Sequence, residues 1–94
     1  MSRKKYVATC DLITKIINDT YRVKELFESC TTIEQVMNVL ALSNFLVAVK
    51  WYNMLNSMNY SMNEWSEQRL WVKSAANDLT TFYHEAKDRV KGNA

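Results

Sequence analysis

The chain has 94 residues, no proline, one glycine (Gly92) and a formal net charge of +2. That length holds one domain, 1–94, with little stability to spare, and the near-neutral charge argues against a polyanionic partner held by net charge alone. A hydrophobic content of 48% with 23% charged residues argues against disorder, and the near absence of turn-forming residues favours long uninterrupted helices.

In the first segment, Tyr6, Cys10, Ile13 and Ile17 keep a four–three–four spacing, which predicts a helix with this seam turned inward. Cys10 is then expected to be buried and inert. Asn18, Asp19 and Thr20 all favour caps and turns, so a break near Thr20 is expected. Tyr21–Ser29, with Val23, Leu26 and Phe27, becomes a short helix of its own or a kinked continuation.

The second helix is expected from about Thr32 to Ser57, behind a capping box of Thr31 with Glu34. Ile33, Met37, Leu40, Asn44, Val47, Trp51, Met54 and Met58 form one seam, while Val39, Leu42, Leu46 and Val49 form a second on the opposite side. A helix apolar on opposite faces reads as one sandwiched between two others. Asn44 either fixes register as a buried amide or reaches water where the seam tilts. The apolar run Val36–Val49 is interrupted by Asn38, Ser43 and Asn44 and stops at Lys50. It is too short to cross a bilayer and reads as core.

Ser61 and Glu64 form a second capping box, so a third helix is expected from about Met62 to Lys91, closed by Gly92 in a left-handed conformation. The short link between helices two and three makes them an antiparallel hairpin. Val72, Ala76, Leu79, Tyr83, Ala86 and Val90 supply the inward seam of helix three. A helix of about 30 residues is roughly 45 Å long, which exceeds a compact globule of this size, so it bends or projects. The fold class is therefore all-α: a small bundle of three long helices, or four if the first breaks at Thr20. A projecting end would call for self-association into a homo-oligomer or for a heteromeric contact.

Catalysis is not expected. His84 is the only histidine and stands in a charged helical stretch with no recognisable nucleophile arrangement beside it. Cys10 and Cys30 lie too far apart in sequence for a zinc motif, and no glycine-rich loop exists for a nucleotide, so neither metal nor cofactor is expected. Two cysteines and the absence of an apolar leader after Met1–Val7 suggest a reducing cytoplasm.

Trp51, Tyr52, Met54, Met58, Tyr60, Met62, Trp65 and Trp71 gather around the turn between helices two and three. Trp, Tyr and Met are the residues of binding hot spots. Tyr52, Met58, Tyr60, Met62 and Trp65 are the expected surface for a protein partner. The rival expectation is a small subunit of a nucleic-acid-processing complex, contacting phosphate through Arg69 and Lys73 with Trp71 available to stack, aided by the basic ends Arg3, Lys4, Lys5 and Lys87, Arg89, Lys91. In style, a short, Gly-poor, Asn- and Met-rich helical chain without catalytic residues is similar to many accessory proteins of phages and mobile elements. The leading expectation is an adaptor or inhibitor that binds a larger protein.

Overall fold

The computed structural model describes residues 1–92, which form three helices and, among those residues, no strand. Helix α1 spans Arg3–Ser29, α2 spans Ile33–Ser57 and α3 spans Met62–Gly92. Contacts give their directions. Thr9 meets Tyr60, and Asp19 meets Trp51, so α1 and α2 run in opposite directions. Asn56 meets Trp65, and Met37 meets Tyr83, so α2 and α3 do likewise. Lys5 pairs with Glu64, and Lys24 lies over Phe82, so α1 and α3 run in parallel.

Helix α1 is continuous through Thr20, contrary to the expected break. The Thr20 hydroxyl donates to the Ile16 carbonyl at 2.7 Å and so occupies itself within the helix instead of capping a new one. Ser2 caps the start of α1, its hydroxyl accepting from Lys5 N–H at 3.2 Å. Its C-terminus has no basic residue in the last turn. The charge complement comes from α3, where Arg89 Nη2 donates to the carbonyls of Phe27 (2.8 Å) and Cys30 (3.0 Å). One guanidinium therefore satisfies two carbonyls at the end of α1 and anchors the far end of α3.

The capping box of α2 lies one residue later than expected. Thr32 and Gln35 form it, with Gln35 N–H donating to the Thr32 hydroxyl at 3.2 Å, and the Gln35 side chain also accepts from Thr31 N–H at 2.7 Å. A glutamine reaches back as well as a glutamate, which leaves Glu34 on the exposed side of the first turn. The box at α3 is the expected one: Glu64 N–H donates to the Ser61 hydroxyl at 3.2 Å, and Ser61 N–H to the Glu64 carboxylate at 2.9 Å. Gly92 lies within α3 and has no positive φ, so no left-handed closure occurs among the described residues.

The core holds Leu12, Ile16, Val23 and Phe27 from α1, Val36, Leu46, Trp51 and Leu55 from α2, and Val72, Ala75, Leu79, Ala86 and Val90 from α3. The seam expected for α1 is therefore displaced. Tyr6, Cys10 and Ile17 are exposed and Ile13 is half-buried, because the stripe with Leu12 and Ile16 faces inward. Helix α2 is not sandwiched. It is the third corner of a triangle, in contact with both α1 and α3, and it buries one face while Ile33, Met37, Leu42 and Val49 from the two expected seams stay exposed.

The inward face of α2 is set by a π-helical turn over Leu46–Trp51. Ordinary α-helical spacing beyond Leu46 would turn Lys50 inward, four residues on. The extra residue of the π turn turns Trp51 inward instead, and Trp51 is fully buried. Asp19 holds this arrangement from α1. Its Oδ2 accepts from Trp51 Nε1 at 3.0 Å and pairs with Lys50 Nζ at 2.8 Å, so Lys50 lies along the edge of the core with its charge met.

The molecule is a rod of 53 × 18 × 16 Å with a radius of gyration of 15.3 Å, against about 12 Å for a compact globule of this length. The length of α3 is accommodated by this shape. Its last turns do not project, since Ala86 and Val90 are buried and Arg89 is tied to α1.

Candidate interaction surface

Of the five residues expected at the partner surface, four help to close the bundle end. Tyr52, Met58, Tyr60 and Trp65 are half-buried and pack against the core. The Tyr60 hydroxyl is hydrogen-bonded to Thr9. Trp65 Nε1 donates to Asn56 Oδ1 at 2.8 Å, which ties the start of α3 to the end of α2. Met62 alone is widely exposed, at 79%. The turn therefore spends most of its aromatic surface internally.

The cap at the start of α3 acts on the acidity of Glu64. The hydrogen bond from Ser61 N–H, followed by that from Lys5 Nζ at 3.2 Å, holds its carboxyl below the ordinary value of 4.5. This is the electrostatic signature of a helix cap.

Arg69, Lys73 and Trp71 do not form one patch. At about 100° per residue Arg69 and Lys73 share a side of α3, and Trp71 projects from the opposite side. Trp71 lines the groove between α1 and α3 with Ile17, Tyr21 and Phe82. The Arg69 guanidinium lies over the Trp65 ring at 5.5 Å, so it already has an aromatic partner.

His84 is exposed beside the Tyr83 ring, with centroids 5.0 Å apart. Asn44 is exposed and lines the groove between α2 and α3, so it reaches water and does not fix register as a buried amide. Cys10 is exposed, contrary to expectation, and Cys30 is buried. Among the described residues no group of three or more His, Cys, Asp or Glu side chains is placed to hold a metal ion.

The largest unexplained feature is the outer face of α2. Met37, Leu42, Phe45 and Val49 are exposed, Phe45 by 54%, and Ala41 and Ala48 lie among them. No charged residue occurs between Glu34 and Lys50. Asn38 is the main polar interruption on this side. By length and composition α2 is also the one helix, among the described residues, apolar enough to cross a membrane, but Asp19 holds its C-terminal half against α1 through Trp51 and Lys50.

The expected surface does not include this face: Met37, Leu42 and Val49 belong to the expected core seams, and Phe45 belongs to neither seam. A signal is present in the sequence: α2 is apolar on opposite faces, which a three-helix bundle does not cover by itself. Comparison with known proteins adds no assignment, since no family model, curated protein or solved structure matches the chain.

Proposed function

We propose that the chain is a non-catalytic interaction module, an adaptor or inhibitor that docks on a larger protein through the outer face of α2. The observation that carries this reading is the uncharged face from Met37 to Val49, with Phe45 at its centre. Isolated exposed apolar side chains are normal, but a contiguous stripe along a helix marks a contact site. Phe45 and Leu42 bring area, while Ala41 and Ala48 let another backbone approach closely. Met37 lies at one end of this stripe and adds adaptability.

Direct nucleic-acid binding is the weaker reading. The basic pair Arg69 and Lys73 is parted from Trp71, and Arg69 is engaged with Trp65.

The test is affinity capture with the native chain and with Leu42→Glu/Phe45→Glu, followed by reconstitution with the purified partner. The native chain is expected to retain a partner, and the double variant to lose it while keeping its helical content and melting temperature. Equal retention by both would remove the α2 face from the account.

A further inference from the structure

The hollow between α2 and α3 has unlike lips. It is an open groove of about 330 Å³, floored by Leu40, Val47, Ala76 and Leu79. The buried Ser43 hydroxyl beneath it is occupied by the Val39 carbonyl at 3.0 Å, so the floor is apolar in effect. Met37 joins the groove to the outer face of α2, its sulfur accepting from the Tyr83 hydroxyl 3.9 Å away. The lip on α2 is uncharged: no charged residue occurs between Glu34 and Lys50, and Lys50 is turned to Asp19 of α1.

The lip on α3 is basic. Thr80 and His84 line it, and Lys73 and Lys87 stand seven residues to either side of Thr80, about two turns away on the same side of the helix. Arg69 precedes Ala76 by the same interval. Lys87 is held over the Tyr83 ring at 5.7 Å and Arg69 over the Trp65 ring at 5.5 Å. The ion pairs among the described residues are made by Lys5, Lys15, Lys24 and Lys50, so Arg69, Lys73 and Lys87 meet no carboxylate there.

The acids of α3 are turned elsewhere. Glu64 pairs with Lys5 of α1, and Asp78 and Glu85 line the hollows shared with α1. Glu67 repeats the position of Glu85 about five turns earlier, and Asp88 lies on the outer side, about 100° from Lys87.

We propose that this groove takes an amphipathic helix of the partner whose flank toward α3 is acidic. The inference rests on the reading of the chain as a protein-binding module and extends the contact from α2 onto α3. Charge complementarity selects the occupant. A nucleic acid carries phosphate along its whole length and would set charge against Leu40 and Val47, whereas cations line only one lip. An amphipathic helix has an apolar stripe beside a charged flank, and that order matches the floor and the lip. The described residues contain no strand, so no sheet edge is offered to an extended peptide. A helix seated here packs on α2 and α3 together and becomes the fourth corner of a bundle. Lys73 and Lys87 are roughly 21 Å apart along α3, which asks for about four turns of partner helix with Asp or Glu near both ends.

The test is selection of a phage-displayed library of random helical peptides on the native full chain. Enriched peptides are expected to carry apolar residues at three- and four-residue spacing with Asp or Glu along one flank. The best of them, synthesised, is expected to shift the NMR resonances of Leu40, Val47, Ala76 and Thr80. Lys73→Glu/Lys87→Glu should weaken its binding about tenfold or more, and a peptide with its acids changed to Lys should recover part of that loss. Lys73→Ala/Lys87→Ala should show a smaller loss in the same direction, with helical content unchanged. No enrichment, enriched peptides without an acidic flank, or binding indifferent to both lysine variants would overturn the proposal. So would tighter binding of phosphatidylserine vesicles or of a single-stranded oligonucleotide than of any enriched peptide. Leu42→Glu/Phe45→Glu lies outside the groove. Loss of the captured partner in that variant, with no acidic peptides selected, would sink this inference and leave the α2 face standing; acidic selection with capture unaffected by that variant would do the reverse.

Discussion

The inner and outer faces of α2 are both built from large apolar side chains, yet they meet different surroundings. Val36, Leu46, Trp51 and Leu55 are buried against α1 and α3, while Met37, Leu42, Phe45 and Val49 look outward. The contrast teaches that apolarity alone does not assign a residue to the core of a small bundle. Two helices of about the same length cover only one side of a third. What selects the inner side is a polar contact, Asp19 to Trp51 and Lys50, together with the π turn that brings Trp51 round to it.

The largest expected effect comes from trading the two faces against each other. Trp51→Ala removes a fully buried indole and should destabilise the fold by about 3–5 kcal/mol. Phe45→Ala should change stability by less than about 0.5 kcal/mol, because the ring has little to lose. Urea unfolding of the two variants measures the difference, and equal losses would show that the outer face is also core.

A smaller effect is expected at Asp19. Asp19→Ala leaves the buried Trp51 N–H without its acceptor and should destabilise by about 1–3 kcal/mol. Asp19→Asn keeps an oxygen there and should lose less. Hydrogen exchange at the Trp51 indole, followed by NMR, should speed up in the first variant and much less in the second.

The smallest effect concerns the cap at the start of α3. The folded carboxyl of Glu64 titrates below its ordinary 4.5. Its contribution is present above that value and is lost as pH falls through the lower folded value. Acidification should therefore fray the first turn of α3, seen as faster amide exchange around Trp65, with little change in overall stability because the loss is confined to one helix end. Glu64→Gln should remove this acid-range response.

Signals between near neighbours are legible in the sequence and those between distant residues are not. The Ser61–Glu64 box and the α3 seam through Val72, Leu79, Ala86 and Val90 involve residues within a turn or two of one another. The box at α2 lies one residue beyond the expected one because Thr31–Glu34 and Thr32–Gln35 are both capping patterns, and the backbone adopts the second. In α1 the stripes Tyr6–Cys10–Ile13–Ile17 and Leu12–Ile16–Val23–Phe27 are both regular. Periodicity shows that each exists and says nothing about which faces inward.

The π turn depends on a partner 32 residues away in Asp19, and the termination of α1 depends on Arg89, 62 residues from Phe27. No window of sequence contains either pair. The candidate surface was legible as an excess of apolar residues in α2. Its position was not, since the expected sandwich assigned Leu42 and Val49 to the core.

The central claim, that a partner covers the outer face of α2, is tested most directly by methionine oxidation footprinting of the chain free and in its captured complex. Met37 marks the α2 face and Met62 the exposed tip of the turn, and both are open in the free chain. The account predicts that binding protects Met37 and leaves Met62 as reactive as before. Protection of Met62 with Met37 still fully oxidised would contradict it and place the contact at the turn.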